Sequence, residues 1–205
     1  RRQCFLGSGK TTAIIQASKA LAEQGQRVGV ITNDQGKYLV DTAFFRLSSI
    51  PAMEVTGGCF CCNYGDFNQS LEQINQEIKT DVVFAESVGS CADIIATVVK
   101  PLLQFKTSHE QDTSLTTFSD ARFLKKFLAM EELPFQENVI YIFDQQIEEA
   151  GILVINKIDL APYVGADLKI MERDAKLVRK GKPFVFVNCK TGEGVKEVAE
   201  HIIKD

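Results

Sequence analysis

The chain has no tryptophan and only two histidines, His109 and His201. No run of about 18 apolar residues occurs, so nothing in it reads as a membrane span. Its N-terminal end carries no apolar segment of the secretory-signal type. It has no block of basic residues either. The 23 Lys and Arg are outnumbered by 27 Asp and Glu, and a net charge of −4 is a poor basis for nucleic-acid binding. Internal repeats, low-complexity tracts and linkers are absent. With 45% apolar and 24% charged residues, disorder and collagen-like order are excluded. A length of 205 residues suits one α/β domain, or two small ones at most.

What is plentiful is cysteine. Of the six, Cys4, Cys91 and Cys189 are scattered, while Cys59, Cys61 and Cys62 crowd into one short string. A disulfide framework spreads paired cysteines through a small secreted chain that lacks a core. This chain has apolar sequence enough for a core. The reading is a reducing compartment, the cytoplasm, with thiolate chemistry at the cluster.

Strand-like and helix-like segments alternate. Helical spacing of apolar residues marks 11–24, 67–79, 92–100, 121–130, 168–179 and 195–203. The first helix is expected to stop at Gly25, and the third before Pro101. Short apolar runs at 28–31, 81–85, 114–118, 152–155 and 184–187 read as strands, those at 28–31 and 81–85 as buried ones. Residues 104–114 read as a polar loop. Short apolar strands separated by helices predict an α/β fold, a mostly parallel sheet with helices on both faces in three layers. One domain over 1–205 is the economical reading, with the strand before the first glycines truncated.

Four motifs carry chemistry. Gly7-Ser8-Gly9-Lys10-Thr11-Thr12 resembles a Walker A loop, with Cys4 at the position of its first glycine. The glycines let successive N–H groups turn toward phosphate oxygens, and the helix that follows adds its dipole. Lys10 is placed for the β- and γ-phosphates, and the Thr11 hydroxyl for Mg²⁺. Asn156-Lys157-Ile158-Asp159 follows the strand at 152–155 and resembles the guanine-reading signature of GTPases. The Asp159 carboxylate can accept two hydrogen bonds from guanine, which adenine does not offer. The Lys157 stem can cover the base, and Asn156 can brace the phosphate loop. Asn188 and Lys190, in the turn before the last helix, stand where GTPases make further base contacts; a simple turn explains them nearly as well.

Glu86-Ser87-Val88-Gly89 ends the strand at 81–85, where most GTPases carry Asp-x-x-Gly. Glu86 is expected in the Mg²⁺ shell or beside the attacking water, and the Gly89 N–H at the γ-phosphate. Asp34, after the strand at 28–31, is a second carboxylate expected at the Mg²⁺ or in a switch.

The fourth motif is Gly57-Gly58-Cys59-Phe60-Cys61-Cys62. Three thiolates this close suit zinc or a similar soft metal, and an open fourth position suits transfer. An iron–sulfur cluster shared with a partner chain, a redox dithiol and inert buried cysteines are the alternatives. Cys91 and Cys189 are expected to be packing residues. His109 and His201 read as exposed, with His109 able to lend a ligand.

Together these strings resemble the CobW/HypB/UreG family of P-loop GTPases, in the family's order and over nearly the whole chain. The resemblance implies a P-loop NTPase fold and a GTP-driven metallochaperone that delivers zinc, cobalt or nickel to a client metalloenzyme, with accessory proteins and a homodimer as partners. The Cys-x-Cys-Cys string resembles the CobW branch. Residues 156–174 and 190–194 are instead similar to the UreG branch, whose Cys-Pro-His is replaced here by Cys-Phe-Cys-Cys. A CobW-type C-terminal domain is missing from this sequence. No arginine finger is evident, so slow turnover without a partner is expected. A regulatory GTPase with a structural or redox cysteine cluster is the rival reading. A small-molecule kinase is a third, which Asn-Lys-Ile-Asp argues against.

Overall fold

A computed structural model describes residues 7–33, 40–89, 91, 93–104 and 112–204. Two compact units emerge. One is Lys10–Cys91, and the other is Ala92–Asp205 together with Arg1–Gly9.

In the first unit, α1 (Lys10–Glu23) buries Ala13, Ile14, Ala17, Ser18 and Leu21, the stripe that helical spacing puts on one face. It ends where Gly25 takes φ +83°, a conformation that leaves the helical path. β1 (Val28–Thr32) follows and is buried throughout. α2 (Val40–Leu47), β2 (Ala52–Glu54), α3 (Tyr64–Ile78) and β3 (Val82–Glu86) complete the unit. The sheet runs β2-β1-β3, all parallel, with Thr32 opposite both Glu54 and Glu86. Ile14, Val30, Phe45 and Ile50 form a core against Ile15, Ala52 and Phe84. Parallel strands place their carboxyl ends at one edge, where such sheets bind ligands. Here that edge carries Asn33 and Glu86.

In the second unit, β4 (Thr116–Asp120), β5 (Ile152–Asn156) and β6 (Phe184–Phe186) lie parallel in the order β4-β5-β6. Asp120 pairs in register with Asn156 at the carboxyl end. The helices are α4 (Lys100–Gln104), α5 (Ala121–Leu128), α6 (Glu137–Glu149), α7 (Leu168–Arg179) and α8 (Val195–Lys204). Leu124, Phe143, Ile147, Leu153, Ile155 and Met171 pack the core. Arg179, only 3% exposed, clamps the backbone beneath it. Its guanidinium donates to the carbonyls of Ile147 (2.5 Å), Ala150 (2.7 Å), Gly151 (2.9 Å) and Pro183 (3.4 Å).

Several expectations are corrected. The strand expected at 114–118 lies at Thr116–Asp120, two residues later, which brings Asp120 to the sheet edge. The helix expected to stop before Pro101 instead passes through it. A π-turn at Ile95–Val99 leads directly into α4, and Pro101 sits in the first turn of that helix, where a missing N–H costs little. The strand at 81–85 was expected to be buried, yet most of β3 is only partly covered. Among the described residues, no helix is long and apolar enough to cross a membrane.

Candidate functional site

Gly7, Ser8 and Gly9 belong to the second unit, and Thr11 and Glu86 to the first. Gly7 and Gly9 take φ +83° and +93°, turning the chain into the helix. Ser8 is buried, and its hydroxyl has no hydrogen-bond partner among the described residues. A buried hydroxyl left this way suits a loop that wraps a ligand. The Thr11 hydroxyl donates to Glu86 Oε1 at 2.9 Å, linking the first turn of α1 to the end of β3. Glu86 is buried, and its backbone carbonyl accepts from the Asn33 N–H at 3.1 Å. A hydroxyl beside a buried carboxylate is the hard-oxygen donor set that Mg²⁺ takes, so these residues fit that ion. Asp34 lies outside the described residues, as do Cys4 and His109.

The cysteine loop hangs from the same sheet edge. The Asn33 side-chain amide donates to Val55 O at 3.0 Å and to Gly58 O at 2.6 Å. Cys59 O accepts from Cys62 N (3.0 Å) and Asn63 N (2.9 Å), which closes a tight turn just before α3. Phe60 faces inward, 3% exposed, with its ring centroid 4.5 Å from that of Phe67. Burying this one aromatic leaves its neighbours Cys59, Cys61 and Cys62 on the open side. The Cys59 and Cys61 sulfurs lie 2.6 Å apart and those of Cys59 and Cys62 3.0 Å apart. All three fall within 4.8 Å of one another. Hydrogen bonds from the Cys61 and Cys62 thiols pull Cys59 down to about 7. The Cys61 thiol is pushed up to about 11 by the same contact and by burial. One thiolate supported by neighbouring thiols is a ready metal ligand.

The second unit presents a polar lattice around Asn156. Its Nδ2 donates to Ser8 O at 2.7 Å. Its Oδ1 accepts from Lys157 N at 2.7 Å and Cys189 N at 3.0 Å. A Cβ on Gly9 would overlap the Asn156 amide, so the loop glycine and the asparagine fit as a pair. Lys157 takes φ +63°, and its Nζ lies 3.0 Å from Asp120 Oδ2. Asp120 also caps α5, accepting from the Arg122 N–H at 3.0 Å and from its guanidinium at 2.9 and 2.6 Å. Burial pushes the Asp120 carboxyl up, but the Arg122 and Lys157 donors outweigh it and hold it down. Asp159 and Lys190 are exposed. Asn188 is buried, and its Oδ1 accepts from Lys190 N at 3.1 Å, so that side chain is engaged within its own turn.

Against known proteins, the family model of the CobW/HypB/UreG nucleotide-binding domain matches residues 3–186. The chain belongs to the CobW/HypB/UreG family. It is 34% identical over 206 aligned residues to the urease accessory protein UreG of Metallosphaera sedula, covering 94% of this chain and 87% of that one. A shorter stretch of 57 residues, 28% of this chain and 27% of the other, is 63% identical to UreG of Edwardsiella ictaluri. Two solved structures share the fold. Hydrogenase maturation factor HypB of Archaeoglobus fulgidus aligns with TM-score 0.67 at 19% identity, over 97% of this chain and 85% of that one. HypB of Helicobacter pylori, solved in complex with nickel, aligns with TM-score 0.70 at 13% identity, over 97% and 81%. The fold is therefore the three-layer α/β P-loop fold of this family.

Two residues of this CobW/HypB/UreG protein escaped the motif reading. Asn33 looks in sequence like a strand-end polar residue, yet it ties the cysteine loop to β1 and β3. Asp120 is the partner of Lys157, and only the two-residue shift of β4 reveals it. Cys91 is half-buried, and burial pushes its thiol up. Cys189 is buried at 3% exposure, as a packing residue is.

Proposed function

We propose that this chain is a GTP-hydrolysing metallochaperone, acting as one P-loop GTPase domain over 1–205. A cargo metal sits on Cys59, Cys61 and Cys62. The observation that carries the reading is the convergence of three thiols on a loop held by Asn33, whose backbone is bonded to Glu86.

The roles follow the chemistry of each group. Backbone N–H groups of Gly7, Ser8, Gly9, Lys10, Thr11 and Thr12 bind phosphate, and Lys10 neutralises charge that builds on the leaving phosphates. Thr11 and Glu86, with Asp34, would hold Mg²⁺, which would supply neutralisation of the phosphate charge. Glu86 positions a water for attack on the γ-phosphorus; the bond to the GDP oxygen breaks and phosphate leaves. Gly89 senses the γ-phosphate. Asp159 selects guanine, Lys157 covers it, and Asn156, Asn188 and Lys190 shape the base loop.

The cargo is a transition metal. The relatives are urease and hydrogenase accessory proteins, one of them solved with nickel, which supports nickel. The three-thiolate set supports zinc, which imposes no geometry of its own, and cobalt is the third candidate. Partners are GTP and GDP, a client metalloenzyme or its accessory proteins, and a second copy of the chain, in the cytoplasm. Nucleic acid and membrane play no part.

The test is metal competition among zinc, cobalt and nickel, with a non-hydrolysable GTP analogue against GDP. A change in affinity between the two nucleotides is expected. Equal affinities overturn the switch, since a ligand without differential affinity shifts nothing. Replacing Cys61 and Cys62 by Ser is expected to abolish tight metal binding and leave GTP binding intact.

The close Cys59–Cys61 approach favours one rival, a regulatory GTPase whose cysteines sense redox state. Metal-free protein after purification under reducing conditions, with thiols that bind none when metal is supplied, would favour that rival.

A further inference from the structure

Asp120 belongs to none of the four motifs, yet its buried carboxylate stands beside Lys157. We propose that Asp120 is a positioning residue for guanine recognition: it tethers the Lys157 ammonium and so fixes the lysine stem as one wall against which the base lies. The inference rests on the reading of Asn156-Lys157-Ile158-Asp159 as the guanine site.

The placement follows from the sheet. Asp120 ends β4 and Asn156 ends β5, and the two are partners in register. Adjacent strands lie about 4.8 Å apart, so a side chain that leaves the backbone one residue past Asn156 starts close to the Asp120 carboxylate. Lys157 is held at both ends. Its N–H donates to Asn156 Oδ1 at 2.7 Å, and its Nζ lies 3.0 Å from Asp120 Oδ2. Its backbone stands at φ +63° and ψ +39°, in the left-handed region that a lysine rarely takes. The methylene stem runs between those two anchors. The side chain is 28% exposed, so part of the stem is open to a ligand. Asp159 follows two residues on, in the 3₁₀ turn Ile158–Leu160, and is exposed.

Asp120 is itself held firmly. Arg122 donates to both of its oxygens, from Nε to Oδ1 at 2.9 Å and from Nη2 to Oδ2 at 2.6 Å. The Arg122 backbone N–H adds a third bond to Oδ1 at 3.0 Å. The Arg122 guanidinium in turn sits over the Phe123 ring, 5.7 Å from its centroid. A guanidinium forked on a carboxylate fixes the orientation of that carboxylate as well as its charge. A lysine that swings freely has much rotamer freedom to lose on meeting a base, and one already tethered has less. Asp120 therefore supplies preorganisation to the base site without touching the base.

The test is equilibrium binding of GDP and of inorganic pyrophosphate, a diphosphate without a base, to the full chain and to its Asp120→Asn and Lys157→Met variants. Asn keeps the shape of Asp120 without its charge, and Met keeps an apolar stem without the ammonium. GDP affinity relative to pyrophosphate is expected to fall about 5-fold in each variant, most of what covering roughly 50 Å² of base at about 25 cal/mol per Å² is worth. The double variant should again show about 5-fold and not about 25-fold, because both changes cut the same tether. Plain electrostatics has the opposite sign in Asp120→Asn, where loss of a negative charge favours both anions. Where Asp120→Asn folds poorly, Lys157→Met, which leaves the Asp120–Arg122 pair intact, carries the test alone. An unchanged ratio in Lys157→Met, or effects that multiply in the double variant, overturns the proposal and leaves the guanine site standing. A wild-type chain that binds GDP no more tightly than pyrophosphate removes the guanine reading itself.

Discussion

Replacing Asn156 by Ala tests the polar lattice most directly. The buried amide makes three hydrogen bonds, to Ser8 O, Lys157 N and Cys189 N, at 2.7, 2.7 and 3.0 Å. The losses are unequal. Lys157 is half-exposed, so its N–H regains water and the net cost there is small. Ser8 and Cys189 are 4% and 3% exposed. A buried donor or acceptor stripped of its partner costs about 1–3 kcal/mol, so two of them give about 3 kcal/mol. With a urea slope of about 2 kcal/mol/M, the midpoint should fall by about 1.5 M. The assay is urea unfolding followed by circular dichroism. A second arm uses Gly9. Its Ala variant alone suffers both the φ of +93° and overlap with the Asn156 amide. In the Asn156→Ala background the overlap disappears, so Gly9→Ala should cost at least about 1 kcal/mol less than in the wild type, a coupling that contacting residues commonly show. A midpoint shift below about 0.5 M, or strict additivity of the two changes, refutes the claim that Asn156 holds the loop.

Two further outcomes follow from the second unit. Arg179→Ala removes a buried guanidinium from the backbone carbonyls it holds, and should cost about 3–5 kcal/mol by thermal or urea unfolding; Arg179→Lys, which cannot reach them as a fork, should recover little of it. Asp120 has its folded pKa held below the unfolded value, so its stabilising contribution is present above the unfolded value and is lost as pH falls through the folded one. Asp120→Asn should therefore destabilise at pH 7 and lose that penalty on acidification below the usual carboxylate range, read from unfolding midpoints across pH; a penalty that does not change with pH would count against the Arg122 and Lys157 pairing.

Much of the fold was legible because burial and periodicity agree. β1 and β5 are buried at all five positions, the first four of each without a polar side chain, and α1 shows its buried stripe at helical spacing. α2 and α6 were not legible. In α6 the run Val139-Ile140-Tyr141-Ile142-Phe143 is continuous rather than helically spaced, and only Phe143 and Ile147 of the thirteen residues are buried. β2 is three residues long, too short for any period, and exists because β1 offers it a parallel edge. The site divides in the same way. Gly7–Thr12 and Asn156–Asp159 are local strings, readable one after another. Asn33 and Asp120 act through partners 25 and 37 residues away in sequence, and no spacing rule reaches that far.

The compactness of the cysteine turn has a consequence for how the protein tolerates unfolding. Three of its thiols stay neighbours in any conformation of the chain, because only one residue separates the first two and none the last. The denatured chain therefore retains a chelating peptide, and binding to the denatured state subtracts from whatever stabilisation the metal brings to the native one. A metal held by these three thiols alone would therefore add little to the stability of the native state, and its removal would cost the fold correspondingly little.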